Sequence, residues 1–92
     1  MHATEPAMSD DIEIEIFSRP ECHLCDVLLE LVGELEGLYP LNLKVTNVET
    51  DPQLEQKYGS QVPVVRIAGH STFTYPIRPA ALERELKRLW KR

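Results

Sequence analysis

The chain has 92 residues, 42% of them apolar and 27% charged, with 15 acidic against 10 basic side chains for a net charge of −5. That length suits one small domain around a single core. No apolar run nears the roughly 18 residues of a membrane span, two cysteines exclude a disulfide-dense scaffold, and the acidic balance argues against nucleic acid as the main ligand. Arg84, Lys87, Arg88, Lys91 and Arg92 crowd the C-terminal end. There they complement a helix dipole and read as a solvated helix face.

Residues 1–11 are polar, lack the apolar stretch of a secretory signal, and carry three acids and no arginine, which fits a mitochondrial presequence poorly. They are expected to be a disordered leader to a domain spanning residues 12–92. Ile12 to Phe17 then alternates apolar and acidic residues, the period of a strand with one face buried. Pro20 ends that pattern, because it cannot continue a central ladder. Leu24, Val27, Leu28, Leu31, Leu35 and Leu38 recur at helical spacing, with Gly37 and Pro40 bracketing the helix end.

Leu41, Leu43 and Val45 alternate with polar residues as a second strand. Asp51-Pro52 reads as a helix start, with Asp51 able to cap and Pro52 suited to the first helical position. That helix is expected to end near Tyr58-Gly59. Val62 to Ile67 is a third strand entered through Pro63, Gly69-His70 a turn, and Thr72 to Tyr75 a fourth strand. Pro79 opens a last helix whose inward stripe is Leu82, Leu86 and Leu89, with Trp90 as an anchor. The order β-α-β-α-β-β-α predicts an α/β domain. It begins with a parallel strand pair and ends in a hairpin and a helix.

Cys22-His23-Leu24-Cys25 sits where the first strand yields to the first helix. Thiols at i and i+3 on a first helical turn are close enough to join. The free N–H groups and positive dipole end favour a thiolate at Cys22, the species that attacks a disulfide sulfur. Cys25, deeper in the helix beside Leu24 and Leu28, is suited to resolve the mixed disulfide. Two other readings compete. A purely structural disulfide closing so short a loop would contribute only about 2 kcal/mol, and zinc would need ligands beyond Cys22, Cys25 and His23. Neither His2 nor His70 has a spacing that recommends it, so no metal is expected at the site. A CxxC at a strand-to-helix junction within a βαβ pattern points to redox chemistry.

The segment Phe17-Ser18-Arg19-Pro20-Glu21-Cys22-His23-Leu24-Cys25, with Gln61-Val62-Pro63-Val64-Val65 further on, resembles the glutaredoxin-like branch of the thioredoxin superfamily. The resemblance covers about Ile12 to Trp90. It implies a thioredoxin-like (glutaredoxin-type) fold, a four-stranded mixed sheet in the order 2-1-3-4 with three flanking helices on both faces. It also implies a cis peptide before Pro63, which would turn the Val62 backbone toward an incoming peptide or glutathione. In trans, Pro63 would simply start the strand. The implied activity is thiol–disulfide exchange on protein or small-molecule disulfides, with Cys22 as nucleophile and Cys25 as resolving thiol. No built-in cofactor is implied; glutathione is a possible co-substrate, beside a protein reductant.

Two departures matter. Glutaredoxins usually carry Pro-Tyr between the cysteines, where this chain has His23-Leu24, and an imidazolium at His23 would stabilise the thiolate. The Gly-Gly and Asp that receive the γ-glutamyl end of glutathione have no counterpart in Tyr75-Pro76-Ile77-Arg78-Pro79. Glutathione is therefore expected to be a weak donor. Arg19 reads either as a contact to the thiolate or a glutathione carboxylate, or as a loop cation balancing Glu21. Arg78 is expected to be solvated. The competing function classes are a noncatalytic or redox-sensing interaction module and a metal or iron–sulfur carrier. A cytoplasmic monomer without nucleic-acid or membrane partners is expected.

Overall fold

The computed structural model describes residues 11–69 and 71–90, so almost all of the expected leader, together with His70, Lys91 and Arg92, lies outside the described residues. Strand β1 (Ile12–Ser18) leads into helix α1 (His23–Leu35) and strand β2 (Leu41–Asn47). A 3₁₀ turn (Val48–Thr50) and helix α2 (Pro52–Tyr58) follow, then strands β3 (Val64–Ile67) and β4 (Ser71–Thr74) and helix α3 (Pro79–Leu89).

The sheet order is β2-β1-β3-β4, with β1 and β2 parallel and the other pairings antiparallel. Parallel neighbours require a crossover, which α1 supplies. Alternation along β1 then divides the core. Ile12, Ile14 and Ile16 join Val65 and Ile67 under α1 and α3, whereas Phe17 and Val64 meet Val48 and Tyr58 on the other face, against α2. The register agrees, pairing Ile16 with Val65 and Phe17 with Val64. Phe17 and Tyr58 stack with ring centroids 4.5 Å apart, so Tyr58 is buried in this second cluster.

The helix starts follow their sequence signals. The Asp51 side chain accepts the Gln53 N–H at 2.9 Å, and Pro52 and Pro79 occupy first-turn positions. Helix α1 is shorter than the leucine spacing predicts. It stops at Leu35, and Gly37 and Leu38 close a tightened turn by donating to the Glu34 and Leu35 carbonyls. Its phase also differs. The buried positions are Cys25, Leu28, Val32 and Leu35, leaving Leu24, Val27 and Leu38 exposed.

In α3, Leu82 and Leu86 are fully buried and Leu89 partly so. Trp90 meets Tyr39 edge-on at 5.3 Å and so anchors the end of this helix, as expected. The β3–β4 turn sets both Ala68 and Gly69 at positive φ, a conformation that glycine adopts without the Cβ penalty.

Candidate active site

Strand β1 delivers the chain to a loop, Arg19–Glu21, and Glu21 takes φ 57° just before the cysteines. Cys22 is the N-cap of α1, with extended backbone angles. Its Sγ accepts the Cys25 backbone N–H at 3.1 Å, and its carbonyl accepts the Asp26 N–H at 3.1 Å. A sulfur in the capping position takes the place of the Ser or Asp oxygen that satisfies helix-end amides elsewhere. The same N–H and the dipole favour negative charge on Cys22.

The two sulfurs lie at disulfide-bonding distance, across Cα atoms 5.2 Å apart. Cys25 is only 2% exposed and Cys22 half-buried, so Cys22 is the more accessible residue of the pair. His23, at the first helical position, is exposed.

The Val62–Pro63 peptide is cis, as is Tyr75–Pro76, a second cis bond that no sequence signal had suggested. Pro63 is fully buried and Val62 half-buried. Pro63 and Leu24, the residue beside Cys25, line one groove of about 430 Å³, whose other walls include Val27 and Leu31 of α1 and Tyr75 and Ile77 before α3. Leu24, Val27 and Tyr75 are its exposed apolar groups, and the surplus of apolar positions along α1 was the sequence signal for it. Glu30 and Glu34 also line it.

Arg19 does not balance Glu21. Its Nη1 donates to Glu49 at 3.1 Å, and its Nη2 donates to Glu55 at 2.9 Å and to the Gly59 carbonyl at 2.6 Å. Any role at a thiolate or a glutathione carboxylate competes with three acceptors already in place. Arg78 is the exposed N-cap of α3 and makes no capping bond through its side chain. Among the described residues, no three His, Cys, Asp or Glu side chains gather as a metal site. No helix among them is long and apolar enough to cross a membrane.

The model of the glutaredoxin-like domain family (DUF836) matches residues 13–87, from β1 to the third turn of α3. The chain belongs to this family. No curated protein matches this glutaredoxin-like domain in sequence. Among solved structures, a structural genomics target protein from X. campestris (XcR50) is similar at 25% identity and TM-score 0.70, covering 82% of this chain and 96% of its own. A mutant thioredoxin from Halobacterium salinarum shares 17% identity at TM-score 0.72, covering 96% of this chain and 82% of its own. Thioredoxin O2 from Arabidopsis thaliana in its oxidised state shares 16% at TM-score 0.67, covering 91% and 79%. The glutaredoxin-like domain thus has the thioredoxin-like fold, and its proximal cysteine pair is consistent with thiol–disulfide chemistry.

Proposed function

We propose that this protein is a dithiol oxidoreductase in which Cys22 attacks a partner disulfide and Cys25 resolves the product. The observation that carries this reading is the position of Cys22 at the N-cap of α1, its sulfur on the Cys25 amide and its partner sulfur buried. The Cys22 thiolate forms a bond to one partner sulfur, and the other partner sulfur leaves as a thiolate that takes a proton from solvent. Cys25 then gives up its proton and attacks Cys22 Sγ, releasing the second partner thiol. Two electrons pass to the partner disulfide, and the protein is left with a Cys22–Cys25 disulfide. A thiol donor, glutathione or a protein dithiol, restores the reduced pair.

The place of Val62 supports a substrate role for its backbone. Val62 precedes the β3 ladder and, among the described residues, enters no backbone hydrogen bond of the turns and loops. An extended partner segment pairs through backbone N–H and C=O groups left open in this way. The glutathione site of glutaredoxins is less well supported, since its glycine–aspartate segment is missing and Arg19 is engaged by Glu49 and Glu55.

The test is reduction of bis(2-hydroxyethyl) disulfide, a neutral substrate, by the reduced protein. Cys22→Ser is expected to abolish exchange, and Cys25→Ser to accumulate a mixed disulfide visible by mass spectrometry. Equal rates in wild type and Cys22→Ser would overturn the assignment.

A further inference from the structure

The groove beside the cysteines is apolar yet open to water. Leu24 is 40% exposed, Val27 50% and Tyr75 55%, and Leu28, Leu31 and Ile77 complete its apolar wall. Its volume, about 430 Å³, falls within the roughly 300–1,000 Å³ of small-ligand sites. Exposed apolar groups scattered singly need no explanation, but here three of them converge on one concavity that begins at a residue between the two cysteines.

Charge marks the occupant. Asp26, Glu30 and Glu34 follow one another at i+4 along α1, and Glu30 and Glu34 line the groove. Neither forms a side-chain hydrogen bond or ion pair among the described residues, and α1 carries no lysine or arginine. Like charges at i+4 repel, and Glu34 lies in the last turn, where the dipole also disfavours an acid. Arg78, between the lining residues Ile77 and Pro79, is the nearest cation along the chain and is not part of the lining. An anionic ligand entering the groove meets two carboxylates. A cation there relieves them.

We propose that the groove docks an extended segment of a protein disulfide partner that carries apolar side chains and a lysine or arginine near its reactive cysteine. The apolar side chains cover Leu24, Val27 and Tyr75, and the basic one pairs with Glu30 and Glu34. The inference rests on the exchange reading above and assigns its substrate class: cationic–apolar protein disulfides, selected against glutathione, which has two carboxylates and a single amine.

The experiment compares two peptide disulfides that are identical except for lysine or glutamate beside the cysteine. The readout is the ratio of their kcat/KM values, so that any general loss of activity cancels. Reduced wild type is expected to prefer the lysine peptide about fivefold or more, the scale of two exposed ion pairs. In Glu30→Gln/Glu34→Gln the ratio is expected to fall close to one. No preference in wild type, or a preference untouched in the double variant, would overturn the proposal. A second arm separates it from the exchange reading. The lysine peptide with serine in place of its cysteine is titrated into the oxidised protein and followed by amide chemical shifts. Shifts at Val27, Leu31 and Tyr75 support docking even where no disulfide is reduced, and their absence alongside normal exchange overturns the groove alone.

Discussion

Arg19 and Glu55, 36 residues apart in sequence, meet in a 2.9 Å ion pair that ties the loop before Cys22 to α2. The same guanidinium holds Glu49 and the Gly59 carbonyl, so its planar fork joins the loop after β1, the 3₁₀ turn and the end of α2 at one point. The Glu55 hydrogen bond is the first cause raising the Arg19 pKa above its ordinary value, and burial opposes it. Gly59 belongs to this arrangement, because a Cβ there would collide with the Glu55 carbonyl and carboxylate.

Arg19→Ala is therefore expected to lower Tm, and Arg19→Lys to recover only part of the loss, since a compact ammonium does not reproduce the guanidinium fork that reaches Glu49 through one nitrogen and Glu55 and Gly59 through the other. The loss from Arg19→Ala should shrink in a Glu55→Gln background, as expected of coupled partners. A raised Arg pKa contributes stability below the unfolded value and loses it only as pH climbs through the folded one. The clasp is thus insensitive to pH near neutrality and sensitive to salt. Additive Tm losses in the double variant would remove the pair from the account.

In the reduced protein, alkylation at neutral pH is expected to reach Cys22 well before Cys25, because Cys22 is half-buried at the helix start and Cys25 is enclosed. Peptide mapping after brief iodoacetamide treatment measures the order. Faster labelling of Cys25 would exchange the two roles.

Leu82 is fully buried where α3 packs onto β1, β3 and α1. Leu82→Ala leaves a cavity between two layers and is expected to cost about 2–5 kcal/mol in urea unfolding. Leu38→Ala, at a 60% exposed position, should cost well under half as much. Similar losses at both sites would contradict the observed phase of the core.

Tyr39 donates its hydroxyl to Glu83 at 2.9 Å, and burial first, then that bond, raises its pKa above the ordinary 10.0. The folded state thus keeps its phenolic proton to higher pH than the unfolded chain does. This contribution is complete below the unfolded pKa and is lost as pH rises through the folded one. Stability is expected to fall on the alkaline side of about pH 10, and Tyr39→Phe to flatten that limb of a Tm-versus-pH series. An unchanged slope in the variant would assign the alkaline loss elsewhere.

Local chemistry was enough for much of this protein. Alternation in Ile12–Phe17, the Asp51-Pro52 and Pro79 helix starts, and the cysteine pair at a strand-to-helix junction are signals carried by neighbouring residues, and the fold class follows from their order. The phase of α1 was not legible in that way. Leu24, Val27, Leu28, Leu31, Val32 and Leu35 span more than one face of a helix, so apolar spacing admits several inward stripes. Packing against Ile14, Ile16 and Leu82 selects Leu28, Val32 and Leu35, and the rejected Leu24 and Val27 become the groove wall. Arg19 met its partners in the same manner. Its nearest acid in sequence is Glu21, but the tertiary fold brings Glu49 and Glu55 to the fork, because ion pairing depends on distance in space and no local period records it.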